Sequence, residues 1–366
     1  MDKTFVINSN DIAKNVEVLY SKSSGSRIYA VLKGNAYGMG LIPFAKELYK
    51  NNIRHFSVTD LKDAITLREY FSDVQILLLA PCKMPQDIKD ALNFDITLSV
   101  DDVENAKDIS NLAISEEKNA TIHIKIDTGM GRYGFLPSQT EEISSIFTLQ
   151  NLYIEGIFSH LHSAFNKDKK PSFEQFNTFK SVIDTLSKLG HEIPIQHICN
   201  SIGIFRFPEM HLTAIRAGSA LIGRVSDVCG KTNLCKVGTL YGEVVDIKTL
   251  PKGHNIGYAA LYKTKTVQKI ICVNVGYSDG IAVTKANDSF RFIDILRYCF
   301  NDFKSLFRPN TLICKINGKT AKSLGRIGMT NLVLDGNSVE DVKIGDLVEI
   351  PANPIYLSPL IKREYK

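Results

Sequence analysis

A lysine that directly follows an apolar run is the first residue whose setting suggests chemistry. Lys33 comes after residues 28–32, IYAVL, and precedes the glycine-rich segment 34–40, GNAYGMG. Glycine lets a backbone approach a ligand closely, and the hydroxyl of Tyr37 in this segment can reach a phosphate. A lysine held away from bulk water can lose its proton and form a Schiff base with a carbonyl compound. The sequence therefore predicts a reactive amine at residue 33.

Eight apolar runs in the first two thirds of the chain indicate the elements that hold this lysine. They are rich in Ile, Val and Leu and largely lack polar alternation, as expected for strands buried on both faces. Segments with helical spacing separate them, for example 41–52, 61–71 and 173–190. This order predicts an N-terminal (β/α)8 TIM-type barrel with its chemistry at the C-terminal strand ends, and a doubly wound open sheet is the alternative. The runs span 28–34, 55–60, 74–80, 96–100, 120–127, 153–162, 193–200 and 212–223.

The pattern changes near Leu234, where short β-rich runs replace the β/α alternation. Asn-Gly and Asp-Gly pairs at 317–318 and 335–336 are turn signals of antiparallel sheets. We therefore expect a barrel over residues 1–232 and a mainly antiparallel β domain over residues 233–366. One segment, 288–310, is aromatic, basic and helix-like, and it does not fit the β pattern.

The composition is typical of a soluble globular protein. The 366 residues are 44% hydrophobic and 23% charged, and at about 150 residues per domain the length suggests two domains. The net charge of +5 is small and spread along the chain, so nucleic-acid binding gains no support. No membrane span and no secretory signal are visible, which favours a cytoplasmic protein. The seven cysteines include no C-x-x-C pair and indicate reduced thiols rather than a metal site.

Residues 30–40, AVLKGNAYGMG, resemble the pyridoxal-phosphate lysine motif of the alanine racemase family, AVVKANAYGHG. The sequence departs from that motif at Gly34, where alanine is usual, and at Met39, where histidine is usual. Further resemblances follow in order along the whole chain. They imply that pyridoxal 5'-phosphate (PLP) is bound through Lys33, with Tyr37 near its phosphate.

The end of a middle strand carries the second resemblance. Residues 125–134, KIDTGMGRYG, resemble the family segment KxDTGMGRxG. Arg132 would bind the substrate carboxylate region, a role that suits the forked donors of a guanidinium. Lys125 corresponds to a lysine that is carbamylated in some family members, and both the modified and the plain form remain open.

Three later segments resemble the family around its cofactor. The first, residues 159–164, includes His162, for which we have no account. In the last, Arg216 would face the pyridine nitrogen, and neighbouring backbone N–H groups would hold the phosphate. Late barrel loops also hold phosphate on grounds of fold alone. The segments are 159–164, 197–201 and 215–223, and the implied cofactor contacts in them are His160, Asn200, Ser201, Arg216, Gly218 and Ser219.

The C-terminal domain continues the resemblance. Tyr258 is the implied second catalytic base, and Tyr277 would line the substrate entrance. Met329 would contact the substrate carboxylate, while Thr330 stands where the family has aspartate. Tyr356 would reach the phosphate. The corresponding segments are 256–262, 276–280, 325–330 and 353–356, and 288–310 falls where the family has a short loop.

Racemisation requires one base on each face of a planar carbanion. The resemblance implies Lys33 on the D-face and Tyr258 on the L-face, in a homodimer whose active sites join one barrel to the other subunit's β domain. L-alanine is the expected substrate, giving D-alanine for peptidoglycan; serine, lysine or broad specificity are alternatives. A decarboxylase would place an acidic residue where Arg216 stands, and a non-enzymatic PLP-binding barrel would lack the β domain.

Overall fold

The computed structural model describes residues 3–283, 292–307 and 311–366. They form two compact units. One is Ser9–Val237, and the other combines the described residues before Ser9 with those of Gly238–Lys366. Within the described ranges, no helix has the length and apolar character needed to cross a membrane.

The first unit is a nearly closed barrel of eight parallel strands, as the sequence predicts. The strands before residue 238 are β1 (Thr4–Ile7), β2 (Arg27–Val31), β3 (His55–Val58), β4 (Gln75–Leu78), β5 (Leu98–Val100), β6 (Ala120–Lys125), β7 (Leu152–Phe158), β8 (Ile195–His197) and β9 (Ala214–Ala217). Strands β2 to β9 form the barrel, in which β2 pairs with β9, and a bridge between Leu77 and Thr97 links β4 to β5. Every residue of β5 and β9 is buried, which explains why their sequences do not alternate.

Helices lie between strands in both units, and the last of them belongs to the unit that contains Gly238–Lys366. They are α1 (Ser9–Ser23), α2 (Lys33–Tyr37), α3 (Leu41–Lys50), α4 (Leu61–Tyr70), α5 (Pro85–Asn93), α6 (Val103–Ser115), α7 (Thr140–Ile146), α8 (Lys170–Lys188), α9 (Ser201–Arg206) and α10 (Phe292–Phe307). Helix α8 buries Phe179, Val182 and Leu186, which recur at helical spacing on one face. Asp60 and Asp102 cap α4 and α6 by accepting backbone N–H bonds.

The second unit is mainly antiparallel, as predicted. Its later strands are β10 (Thr239–Leu250), β11 (Asn255–Ile256), β12 (Tyr262–Lys263), β13 (Gln268–Val273), β14 (Ile313–Ile316), β15 (Lys319–Lys322), β16 (Leu332–Asp335), β17 (Leu347–Ile350) and β18 (Lys362–Tyr365). The long strand β10 pairs with β1 and β17 and, beyond a bulge after Val244, with β13. The exception is the parallel pair of β1 and β18. Helix α10 confirms the helical pattern within 288–310, while 288–291 and 308–310 lie outside the described residues.

Candidate active site

A pocket of about 480 Å³ opens where the barrel strands end. This volume suits a small organic ligand. Eight predicted site residues line it, namely Lys33, Tyr37, Arg132, His160, Asn200, Ser201, Arg216 and Gly218. Ser219 does not line it; the residue is half-buried, and its carbonyl accepts a hydrogen bond from the Arg224 N–H (2.8 Å). The other lining residues are Val31, Thr59, Leu79, Ala80, Lys125, Met130, Tyr133 and Phe158.

The charge of the pocket is one-sided. Lys33, Lys125, Arg132 and Arg216 all line it, and the described lining contains no carboxylate. Positive groups in a concave, partly desolvated site attract and orient anions. The donor set therefore fits an anionic ligand, such as one that carries a phosphate or a carboxylate.

Lys33 begins a left-handed turn. Four consecutive residues after it have φ between 52° and 61°: Gly34, Asn35, Ala36 and Tyr37. Left-handed backbone costs roughly 1–2 kcal/mol per residue for side chains with a Cβ, so the surrounding structure must hold the turn. Part of that support comes from the Asn35 side chain, whose Oδ1 accepts a hydrogen bond from the Leu41 N–H (2.8 Å). The turn sends the chain from β2 to α3 with Lys33 and Tyr37 both in the pocket wall.

The amine of Lys33 is tuned towards its neutral form. Burial lowers the pKa of Lys33 below its usual value, and the nearby cations Arg132 and Arg216 lower it further. A neutral amine is the form that attacks a carbonyl carbon or accepts a proton. The geometry thus supports the reactive lysine that the sequence predicts.

One end of the pocket is built for a compact anion. Gly218 lies so close to Tyr37 that a side chain at residue 218 would overlap the phenol. The Ser201 Oγ accepts hydrogen bonds from the backbone N–H groups of Gly218 (2.9 Å) and Ala220 (3.2 Å). Asn200 caps α9 and thereby sets the position of Ser201. Burial raises the pKa of Tyr37 to about 12, so its hydroxyl stays a hydrogen-bond donor.

Arg216 and His160 occupy the floor of the pocket. The guanidinium of Arg216 donates to the Ser159 carbonyl (2.6 Å), to His160 Nδ1 (3.3 Å) and to His197 Nδ1 (2.5 Å). Burial lowers the pKa of Arg216 to about 10, which leaves it charged at neutral pH. Burial, followed by the charge of Arg216, lowers the pKa of His160 well below its usual value. His160 is therefore neutral and keeps its Nε2–H free to donate.

A tight loop after β6 presents Arg132. The carboxylate of Asp127 accepts N–H bonds from Gly129 (2.8 Å), Met130 (2.7 Å) and Gly131 (2.9 Å). Burial alone would raise the pKa of Asp127, but these N–H bonds outweigh it and the pKa is lowered. The sequence-level interpretation gave Asp127 no role, although an aspartate before a Gly-rich segment is a turn signal.

Lys125 is a second unusual amine. It is buried, and its Nζ donates to the carbonyl of Ile126 (3.2 Å). Burial, followed by the charge of Arg216, lowers the pKa of Lys125 to about 7. Both cations lie over the ring of Phe158, with the Lys125 Nζ 4.9 Å and the Arg216 guanidinium carbon 5.3 Å from its centre. Sequence reasoning missed Phe158, although it lies within the predicted strand run 153–162 and ends β7.

Four predicted residues lie in the second unit, with exposed side chains. The exposed fractions are 68% for Tyr258, 49% for Tyr277, 55% for Met329 and 37% for Tyr356. The backbone brings three of them near one another, because the Tyr277 N–H bonds the Gly328 carbonyl (3.0 Å) and Gly280 packs against the Tyr356 carbonyl. Tyr258 begins a short 3₁₀ helix beside Arg326. The predicted residues thus fall into two groups, one in each unit.

Comparison with known proteins gives the same family for both units. The model of the alanine racemase N-terminal domain matches residues 7–225, and that of the C-terminal domain matches residues 237–355. An alanine racemase of Clostridium tetani is 35% identical over 350 residues, covering 93% of this chain and 84% of the relative. One of Methanococcus maripaludis is 33% identical over 330 residues, covering 89% and 82%.

Solved structures agree with the sequence relatives. An alanine racemase of Clostridium difficile 630 has a TM-score of 0.86 at 26% identity, with 100% of this chain and 96% of that chain covered. An alanine racemase of Streptomyces lavendulae shares the fold, with a TM-score of 0.85 at 23% identity and coverage of 100% and 97%. Both domain models and relatives over nearly the full length point the same way, and the chain belongs to the alanine racemase family.

Proposed function

We propose that this protein interconverts L-alanine and D-alanine with pyridoxal 5'-phosphate as its cofactor. The observation that carries the proposal is the barrel pocket, in which Lys33 follows a strand, three further cations line the wall and the described lining has no carboxylate. The alanine racemases among the relatives support the choice of substrate.

The pocket residues fit this cofactor at both ends. Tyr37, Ser201 and the backbone around Gly218 and Ser219 would hold the phosphate, with Tyr356 as a further contact, and Arg216 would face the pyridine nitrogen beneath His160. When bound, the cofactor withdraws electrons from the substrate α-carbon. A guanidinium hydrogen-bonds the ring nitrogen without giving it a proton, which moderates that withdrawal and disfavours side reactions such as transamination.

Two bases on opposite faces would move the α-proton. Lys33 serves the D-face, and its lowered pKa favours the neutral amine that accepts a proton. Tyr258 serves the L-face from the second subunit of a homodimer. Its large exposure supports this assignment, because a side chain that is 68% exposed in the single chain is accessible to a second subunit.

The two domains divide the work in this proposal. The barrel unit, Ser9–Val237, would bind the cofactor, and the unit that contains Gly238–Lys366 would carry Tyr258 and the substrate entrance. Arg132 and the Met329 backbone would bind the substrate carboxylate, and Tyr277 would line the entrance. Thr330 is exposed where the family has aspartate, so a racemase of serine, lysine or broader range is the second candidate. In the cytoplasm, D-alanine would supply peptidoglycan.

The test is a sequence of two measurements on the protein incubated with PLP. Borohydride reduction should fix the cofactor to the peptide that contains Lys33, as read by mass spectrometry. L-alanine, L-serine and L-lysine are then offered separately, and chiral chromatography follows the D-enantiomers. We expect D-alanine to form fastest. Preference for another amino acid would replace the substrate, and a fixed cofactor without any racemisation would indicate a binding protein.

A further inference from the structure

A chain of buried polar side chains runs from Arg216 through the barrel interior, away from the pocket. The Arg216 Nη1 lies 2.5 Å from His197 Nδ1, and His197 Nε2 lies 3.0 Å from His123 Nδ1. His123 Nε2 in turn lies 3.1 Å from Glu155 Oε2. Both imidazoles are fully buried. None of His197, His123 and Glu155 lines the pocket, so a role in binding a ligand does not explain them.

The donors in this chain can point in only one direction. A guanidinium donates and never accepts, so His197 Nδ1 must offer its lone pair to Arg216 and carry its proton on Nε2. That proton points at His123 Nδ1, which must therefore accept. His123 then carries its own proton on Nε2 and donates it to the carboxylate of Glu155. A carboxylate only accepts, so both ends of the chain enforce the same order.

The charges of this chain sit at its two ends, and a further cation, Arg27, lies with its Nη1 3.9 Å from Glu155 Oε1. Burial lowers the pKa of His197, which is therefore neutral. Burial also lowers the pKa of His123, although the hydrogen bond that it donates to Glu155 acts in the opposite sense. A buried cation such as Arg216 is costly without a compensating negative charge. Glu155 supplies that charge across two neutral, polarisable rings.

The fold holds every ring of the chain in place. His197 is stacked between Phe158 and Tyr29, with ring centres 4.9 Å and 5.4 Å away. A bulge at Glu155 shifts the pairing of β6 and β7 so that His123 lies opposite Gly156. A Cβ at Gly156 would lie 2.5–2.7 Å from the His123 ring, so only glycine leaves room for it.

The far end is equally fixed. The Nε2 of Gln75 donates to both carboxylate oxygens of Glu155, at 2.5 and 2.6 Å. The Oε1 of Gln75 accepts in turn from Arg27 (3.3 Å). The Glu155 carboxylate is thus oriented by a neutral amide and keeps lone pairs for His123.

We propose that Glu155 and His123 are positioning residues for Arg216. They fix His197 in the one tautomer that accepts from the guanidinium, and they thereby hold the guanidinium against the pocket floor. The tautomer order depends on the barrel alone; its effect on catalysis rests on the function proposed above. A purely structural pair at this end of a barrel would contribute stability without imposing proton positions.

The first experiment uses the wild-type chain without cofactor. Long-range ¹H–¹⁵N spectra of labelled histidine report which ring nitrogen carries the proton, and His123→Asn and His197→Asn variants assign the signals. At neutral pH we expect both rings to be neutral with the proton on Nε2. A proton on Nδ1 of either ring, or a charged imidazolium at either position, would overturn the proposal.

The second experiment compares Glu155→Gln with Glu47→Gln. Both change a largely buried carboxylate to an amide, but Glu47 pairs with Lys50 on α3 and has no link to Arg216. An amide can donate as well as accept, so Glu155→Gln should yield mixed tautomers at His123. In the Nδ1–H form, His123 opposes the Nε2–H of His197 and the hydrogen bond between the two rings is lost. With PLP bound, kcat should fall roughly tenfold or more with little change in KM, as expected for a displaced catalytic group. Glu47→Gln should change neither.

The outcomes separate the two proposals. If Glu155→Gln lowers only the melting temperature and keeps the wild-type tautomers and kcat, the positioning role is wrong. Glu155→Asp keeps the charge and should restore the Nε2–H tautomers. If Glu155→Gln does not fold, the wild-type spectra still decide. If the protein with bound PLP racemises none of the amino acids, the proposed function is wrong. The histidine tautomers still test the row of hydrogen bonds from Arg216 to Glu155.

Discussion

The barrel pocket and the candidate residues of the second unit differ in how much of their surroundings one chain provides. Arg216 is 3% exposed and donates to several partners, whereas Tyr258 and Met329 expose 68% and 55% of their surface. Electrostatic preorganisation requires fixed dipoles and little water. The chain by itself meets that requirement at the proposed cofactor site. We infer that the L-face base meets it only when another surface covers Tyr258.

The strongest test of the barrel pocket is the Lys33→Ala variant. Loss of both the cofactor attachment and one base should lower the racemisation rate by about a thousandfold or more. Borohydride should then fix no cofactor to the chain. Lys46→Ala, which removes an exposed lysine on α3, is the control and should behave as the wild type. Retained activity in Lys33→Ala would break the assignment of the whole pocket.

An experiment that mixes two inactive variants tests the role of the exposed Tyr258. Lys33→Ala and Tyr258→Ala should each be inactive alone, but subunit exchange between them should restore part of the activity. In a mixed dimer with shared sites, one site carries both defects and the other carries neither. Each variant mixed with itself is the control. Mass spectrometry of labelled subunits verifies exchange, and exchange without recovery would mean that each site is built within one chain.

The Lys125→Met variant measures how much the burial of the Lys125 amine in the pocket wall lowers the free energy of unfolding. The pKa of Lys125 is about 7 in the folded chain against 10.5 for a free side chain, so between these values the unfolded chain binds more protons. Wild-type stability should therefore rise with pH across this window. The methionine variant should be more stable at pH 7, on the order of 3 kcal/mol, and its advantage should vanish near pH 10.5.

Denaturant unfolding at several pH values gives this difference. If Lys125 instead carries a carbamate, the result should reverse, because the modified side chain is an anion beside Arg216. Lys125→Met would then lose stability, and added bicarbonate would stabilise only the wild type.

The smallest expected effect concerns the left-handed turn. Gly34 has φ +61° with no atom within 4 Å of a Cβ, so Gly34→Ala meets strain but no clash. We expect a loss of about 1 kcal/mol in unfolding free energy and an unchanged kcat. Gly25→Ala, at φ +86° and equally open, is the matched control outside the pocket. A drop in kcat for Gly34→Ala alone would show that the turn sets the position of Lys33.

Local patterns predicted the barrel well because a strand buried on both faces is a local property of composition. All eight predicted runs overlap a barrel strand, and the motif around Lys33 located the pocket. The left-handed turn escaped prediction because three of its four residues, Asn35, Ala36 and Tyr37, carry a Cβ and rarely adopt positive φ. The roles of His123 and Glu155 escaped prediction because their hydrogen bonds form only when separate strands pack together.

The second unit was harder to predict for the same reason. Its long strand β10 matches the predicted run 239–250, since it alternates between buried and less buried residues over most of its length. The pairing of β1 with β10 and β18 joins segments from opposite ends of the chain, and no local pattern encodes it. The exposure of Tyr258 likewise cannot be read from its motif.

The pairing of β1 also has a consequence during translation. Thr4 lies beside Tyr241 on one side and Lys362 on the other, and the β1 side chains of Phe5 and Ile7 are buried in the finished protein. At about 5–20 residues per second, β18 leaves the ribosome on the order of tens of seconds after β1. During that interval the barrel residues are synthesised, while β1 has unpaired backbone edges and the side chains of Phe5 and Ile7 are not yet buried. We therefore expect β1 to gain its first pairing partner only when β10 has been synthesised.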